Sequence, residues 1–137
     1  MILLDTGPIV ALFDPRDDAH DEAKRVLSTL RSRLVTTTPV LTEVFHLLDP
    51  SSRGAEAVRE FVAARGVTLW FYGEASLRRA FEVMRKYRDH AMDFADASLV
   101  VAAESLRAPT VFTLDRNEFA TYRVRIGRTS RAFKVIG

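Results

Sequence analysis

Met1-Ile2-Leu3-Leu4-Asp5-Thr6-Gly7-Pro8 opens the chain with an apolar run that ends on a carboxylate and passes at once into a helix-starting segment. Ile2 to Leu4 has no polar face, the pattern of a strand covered on both sides in a parallel sheet. Pro8 stands where a first helical turn tolerates proline, because the N–H it lacks would have no intrahelical partner there. Val111-Phe112-Thr113-Leu114-Asp115 repeats the theme near the other end of the chain. Both aspartates are thereby placed at carboxyl ends of strands, the edge where open α/β sheets bind ligands.

Between these two stretches, short β-type runs alternate with longer helical patterns, the signature of βαβ units and a parallel sheet. The reading predicts strands over 2–5, 34–37, 67–71, 110–114 and 132–136. Helices are expected over 6–13, 20–31, 38–48, 54–65, 74–87 and 93–106, and residues 116–131 are expected to be loop with one turn at most. Ala23, Val26, Leu27 and Leu30 recur at three and four, as an amphipathic helix requires. Thr38-Pro39 reads as the start of the third helix, in which Glu43 is the only acid. Trp70-Phe71-Tyr72 suits core or interface better than an RNA-stacking surface.

A chain of 137 residues is long enough for one self-sufficient core, so a single domain over 1–137 is expected. No cysteine is present, which excludes disulfides, thiolate metal sites and a cysteine nucleophile. The amino terminus lacks the basic region of a signal peptide, and no apolar run is long enough for a membrane span, so a cytoplasmic, membrane-free protein is expected. The net charge is only +2, but it is unevenly placed. Residues 116–137 hold six cations, namely Arg116, Arg123, Arg125, Arg128, Arg131 and Lys134, against Glu118 alone. That makes the carboxyl-terminal segment a basic arm suited to a phosphate backbone, with a dimer or partner-protein surface as the other use. Arginine outnumbers lysine 17 to 3, which favours bidentate phosphate contacts although base composition of the genome explains it equally well.

Four acidic stations carry the chemistry: Asp5, Glu43, the pair Asp93 and Asp96, and Asp115. Asp93 and Asp96 share one helical face in a first turn, where acids also serve simply as caps. Asp5 should be partly buried, and a buried unpaired carboxylate is costly unless something compensates it. Thr6 and Thr113 place hydroxyls beside two of the carboxylates, and Asn117 follows the last. If the acids converge, repulsion opposes their joint ionisation and a hard divalent cation with oxygen ligands is the remedy. His20, His46 and His90 show no ligand spacing, which disfavours zinc and favours Mg²⁺ or Mn²⁺. Such a cation prepares water for attack at phosphorus without a protein nucleophile, so a nuclease uses both the acids and the basic arm.

The order Asp5, Glu43, Asp96, Asp115 resembles that of the PIN-domain ribonucleases, and the likeness covers nearly the whole chain. Leu4-Asp5-Thr6-Gly7 with Val10-Ala11-Leu12, Asp96-Ala97-Ser98-Leu99-Val100-Val101-Ala102-Ala103 and Thr113-Leu114-Asp115-Arg116-Asn117-Glu118-Phe119 carry it locally. The resemblance implies an α/β three-layer domain with a five-stranded parallel sheet in the order 3-2-1-4-5, flanked by helices. It also implies Mg²⁺- or Mn²⁺-dependent RNA cleavage, and, for a chain of this compact length, a VapC-type toxin with a small antitoxin partner and a homodimeric state. Asp5 and Asp96 would be the principal metal ligands, Glu43 a ligand directly or through water, and Asp115 the fourth member. Thr6 and Thr113 would support them, and Asp93 competes with Asp96 for the third station. A PIN-type RNA-processing nuclease without antitoxin and a non-catalytic RNA-binding module are the alternatives. A receiver domain is excluded because no acidic pair follows the first strand, and a haloacid-dehalogenase-type phosphatase because position 7 is glycine.

Overall fold

Several helices start on a side chain that satisfies an amide the helix cannot bond itself. Thr37 accepts from the Val40 N–H at 3.4 Å, Ser52 from Ala55 at 3.1 Å, and Asp93 from Asp96 at 2.8 Å. The computed structural model describes residues Met1–Gly137. In chain order the elements are β1 (Ile2–Leu4), α1 (Thr6–Phe13), α2 (His20–Thr29), β2 (Leu34–Thr37), α3 (Thr38–Leu47), α4 (Arg53–Ala63), β3 (Thr68–Trp70) and α5 (Glu74–Lys86). A 3₁₀ turn at Arg88–His90 leads to α6 (Phe94–Leu106), β4 (Thr110–Phe112), α7 (Arg116–Thr121), β5 (Arg123–Ile126), β6 (Thr129–Ala132) and β7 (Lys134–Ile136).

The main sheet is parallel, with five strands in the order β3-β2-β1-β4-β7. Counting only its own strands, that is the expected 3-2-1-4-5. β1 lies at the centre, and its three residues are buried, as the absence of a polar face requires. Helix α6 is buried at Ala95 and at every residue from Ala97 to Ala103. An apolar girdle of that kind is stable only when other elements surround the helix; α5, α3, β2 and β5 do so here. No helix is long and apolar enough to cross a membrane.

The expectation that residues 116–131 are loop is wrong. They form α7 and an antiparallel two-stranded sheet, β5 with β6, that stands apart from the main sheet. Arg123-Val124-Arg125-Ile126 alternates with period two, and Val124 and Ile126 are buried while the arginines are exposed. Ile126 pairs with Thr129, leaving the two-residue turn Gly127-Arg128. Only Gly127 has a positive φ, at 62°, the first-position pattern of a II′ hairpin. The last strand is correspondingly shorter than expected, 134–136 rather than 132–136, because Ala132 pairs with Arg123.

Candidate metal centre

Asp5 continues from the central strand: its N–H still bonds the Phe112 carbonyl at 3.0 Å, so the residue is held in line with β1 and β4. The residue is only 7 % exposed. One carboxylate oxygen accepts the Thr6 N–H at 2.8 Å and the other the Thr113 hydroxyl at 2.7 Å. That hydroxyl oxygen in turn accepts the Asp115 N–H at 2.9 Å, so a single short chain of bonds ties the ends of β1 and β4 together. Thr6 acts through its backbone; its own buried hydroxyl has no hydrogen-bond partner.

Glu43 approaches from α3, half-buried, and Asp96 from the first turn of α6, also half-buried. Asp93, exposed, spends one oxygen on the cap of α6, the role open to it from sequence alongside a place in the site. Asp115 is exposed and makes no cap bond at the start of α7. All five line one cavity of about 590 Å³ at the carboxyl edge of the sheet. Asn117 is exposed and does not line it.

No arginine or lysine lines this cavity, and the electrostatics follow. Burial pushes the Asp5 carboxyl up to about 6, with Glu43 and Asp93 adding to the rise and the two hydrogen bonds opposing it. Asp96 is pushed up to about 7 by burial and then by Asp93, Asp5 and Asp115. Glu43 is raised by burial and by Asp93; the Thr6 hydroxyl beside it offsets part of the rise without reaching hydrogen-bond geometry. Asp5, Glu43 and Asp96 are thus held against their preference for the charged form.

Apart from the His90 imidazole, 3.7 Å from Glu118, the donor groups of the lining are carboxylate and hydroxyl oxygens, two of which, on Thr6 and Glu118, are buried without hydrogen-bond partners. Oxygen donors with excess negative charge fit a hard divalent cation. The acids are gathered but not closed into a ligand shell, for no three acidic or histidine side chains stand in metal-holding geometry.

Two lining or contacting residues escape a sequence reading. Glu118 faces the cavity three positions after Asp115, a spacing that signals a shared face only once 116–121 is known to be helical. Tyr122 donates its hydroxyl to Asp96 at 3.2 Å across 26 residues, and no local signal announces it. Of the arginines, Arg116 is exposed beside Asp115. Arg123 is committed elsewhere: its Nη1 donates to the carbonyls of Ala120, Thr121 and Tyr122, closing the end of α7. Arg125, Arg128 and Arg131 are exposed on the hairpin, whose Arg125 N–H is bonded to Glu104 at 2.7 Å. From Asp96 to Glu104 the helix advances about 12 Å, so the hairpin tip lies well away from the acids.

A family model described as the PIN domain matches residues 2–124. Ribonuclease VapC26 of Mycobacterium tuberculosis is 29% identical over 125 residues, covering 89% of this chain and 92% of that protein. The crystal structure of VapC20 from the same organism, described as a sarcin-ricin-loop-cleaving toxin, superposes with a TM-score of 0.78 at 20% identity, over 96% of this chain and 100% of the other. A toxin chain or partner within a toxin–antitoxin complex from Klebsiella pneumoniae gives 0.66 at 19% identity, over 88% and 92%.

Proposed function

This chain belongs to the PIN-domain family, and from that premise we propose that it is a Mg²⁺- or Mn²⁺-dependent ribonuclease, the toxin of a VapBC-type pair. The observation that carries the reading is the cavity at the carboxyl edge of the sheet, where six carboxylates meet with no arginine or lysine among them. The names of the relatives, one a ribonuclease and two from toxins or a toxin–antitoxin complex, support the substrate class and the antitoxin partner.

Asp5 and Asp96 would hold the cation, Glu43 directly or through water, and Asp115 as the fourth member, while Asp93 caps α6 from the outer shell. A bound Mg²⁺ or Mn²⁺ supplies an acidified water and neutralises charge at the phosphodiester. The Thr113 hydroxyl holds one Asp5 oxygen and leaves that carboxylate no freedom to rotate away. Arg116, exposed and next in sequence to Asp115, would meet a phosphate next to the scissile one, whereas Arg125, Arg128 and Arg131 would track the backbone farther out. The protein would act in the cytoplasm, as a homodimer that a small antitoxin silences.

The test is RNA cleavage by the purified protein with Mn²⁺ or Mg²⁺, with EDTA, and after Asp96→Asn. Cleavage that needs the metal and disappears in the folded variant supports the reading; undiminished cleavage in EDTA or in Asp96→Asn sinks it. Co-expression with the product of the adjacent gene separates toxin from processing nuclease, since rescue of growth marks an antitoxin.

A further inference from the structure

Tyr122 ends α7 and precedes the arginine hairpin, yet its ring is wholly buried. It packs edge-on against Tyr87 at 5.0 Å and Phe119 at 5.2 Å between ring centroids. In such a cluster phenylalanine would serve packing better, because a buried hydroxyl is costly unless it is bonded. This hydroxyl is bonded, and its acceptor is Asp96 Oδ2 at 3.2 Å. No other side-chain group donates to that carboxylate, since the remaining bond at Asp96 is made by its backbone N–H to Asp93.

The donor is rigidly placed. The Tyr122 N–H bonds the Glu118 carbonyl at 3.1 Å, while the Tyr87 hydroxyl accepts only the N–H of Arg123, one residue on, at 2.9 Å and makes no hydrogen bond to Tyr122 itself. Farther along, Glu104 accepts the Arg125 N–H and a two-pronged contact from Arg79 at 2.9 and 3.0 Å. Strand β5, which follows Tyr122, is thus tied along α6 through Glu104, with Val124 and Ile126 buried beneath it. A hydroxyl carried on so fixed a backbone sets the orientation of the carboxylate it bonds, and it occupies one oxygen while the other stays free for a cation.

We infer that Tyr122 is a positioning residue of the metal centre, holding Asp96 in the orientation from which its second oxygen binds a divalent cation. The inference rests on the metal-nuclease reading above. Partners that orient a ligand from behind change metal affinity by about 10- to 100-fold when removed. Phenylalanine at 122 keeps the ring and deletes only the donor.

The experiment measures Mn²⁺ binding by calorimetry for wild type, Tyr122→Phe and Tyr87→Phe, with circular dichroism to confirm folding and RNA cleavage titrated against Mn²⁺. Tyr122→Phe should raise the Mn²⁺ Kd about tenfold or more and shift the metal concentration for half-maximal cleavage by the same factor. Its rate at saturating Mn²⁺ should stay within about threefold of wild type. Tyr87→Phe, which loses only a bond to the Arg123 backbone, should leave the Kd within twofold. A Tyr122→Phe Kd within twofold of wild type overturns the positioning role while leaving the metal reading intact. Equal weakening in Tyr87→Phe overturns it too, because the effect would then be one of packing. Wild-type protein that binds no Mn²⁺ overturns the metal reading and this role with it.

Discussion

Asp5→Asn should stabilise the metal-free protein at pH 8 while removing its function. The Asp5 carboxyl is raised from an ordinary 3.8 to about 6, and each unit of difference corresponds to about 1.4 kcal/mol. A raised folded-state value means that stability is full below the unfolded value near 4 and is lost as pH rises through about 6. At pH 8 the ionised carboxylate therefore costs the fold up to roughly 3 kcal/mol, an upper bound because the cavity opens to solvent. Asparagine removes that charge. Its carbonyl oxygen can still accept the Thr6 N–H, but its amide turns toward Thr113 Oγ1, which already accepts from Asp115. The threonine hydroxyl must find another acceptor, a loss of about 1 kcal/mol. The net gain is about 1 to 2 kcal/mol, or a rise in Tm of roughly 4 to 8 °C for a domain of this size. Scanning calorimetry in EDTA reads it directly, at pH 8 and again at pH 4.5, where the advantage should vanish. Added Mn²⁺ should reverse the order, raising the wild-type Tm and not the variant's. An Asp5→Asn protein no more stable than wild type at pH 8 in EDTA would refute the claim that this carboxylate is held ionised against its surroundings.

Other consequences follow from the same geometry. Mn²⁺ affinity should rise at least tenfold between pH 5.5 and 8, because Asp5 and Asp96, raised to about 6 and 7, must release protons before they ligate; a calorimetric Kd independent of pH would contradict this. Glu104→Ala should cost about 2 to 3 kcal/mol in urea unfolding, since it strands a half-buried Arg79 and the Arg125 N–H. Gly127→Ala should lower stability by about 1 kcal/mol at its positive φ and leave the Mn²⁺ Kd unchanged. In filter binding at two salt concentrations, Arg116→Ala and Arg128→Ala should each weaken RNA retention and shallow its salt slope by about one, while Arg123→Ala should act mainly on stability.

The legibility of this chain divides along the range of the interactions involved. Apolar runs such as Ile2-Leu3-Leu4, the 3.6-residue spacing of α2 and the cap at Asp93 are short-range facts, visible within a turn or two of sequence. From them came the parallel sheet, its strand order through a family likeness, and the placing of Asp5 and Asp115 at strand ends. The hairpin is a short-range feature as well: Arg123-Val124-Arg125-Ile126 alternates with period two and is followed by the glycine its turn requires. By itself, then, the sequence determined which residues are carboxylates at turns and which runs must be strands, because periodicity and capping act through neighbouring backbone. Only the tertiary structure decided that the Thr113 hydroxyl meets Asp5 across 108 residues, that Tyr122 reaches Asp96, and that the exposed Arg123 closes a helix end. Those contacts depend on how β4 docks beside β1 and how β5 lies along α6, which long-range burial sets and no local pattern records.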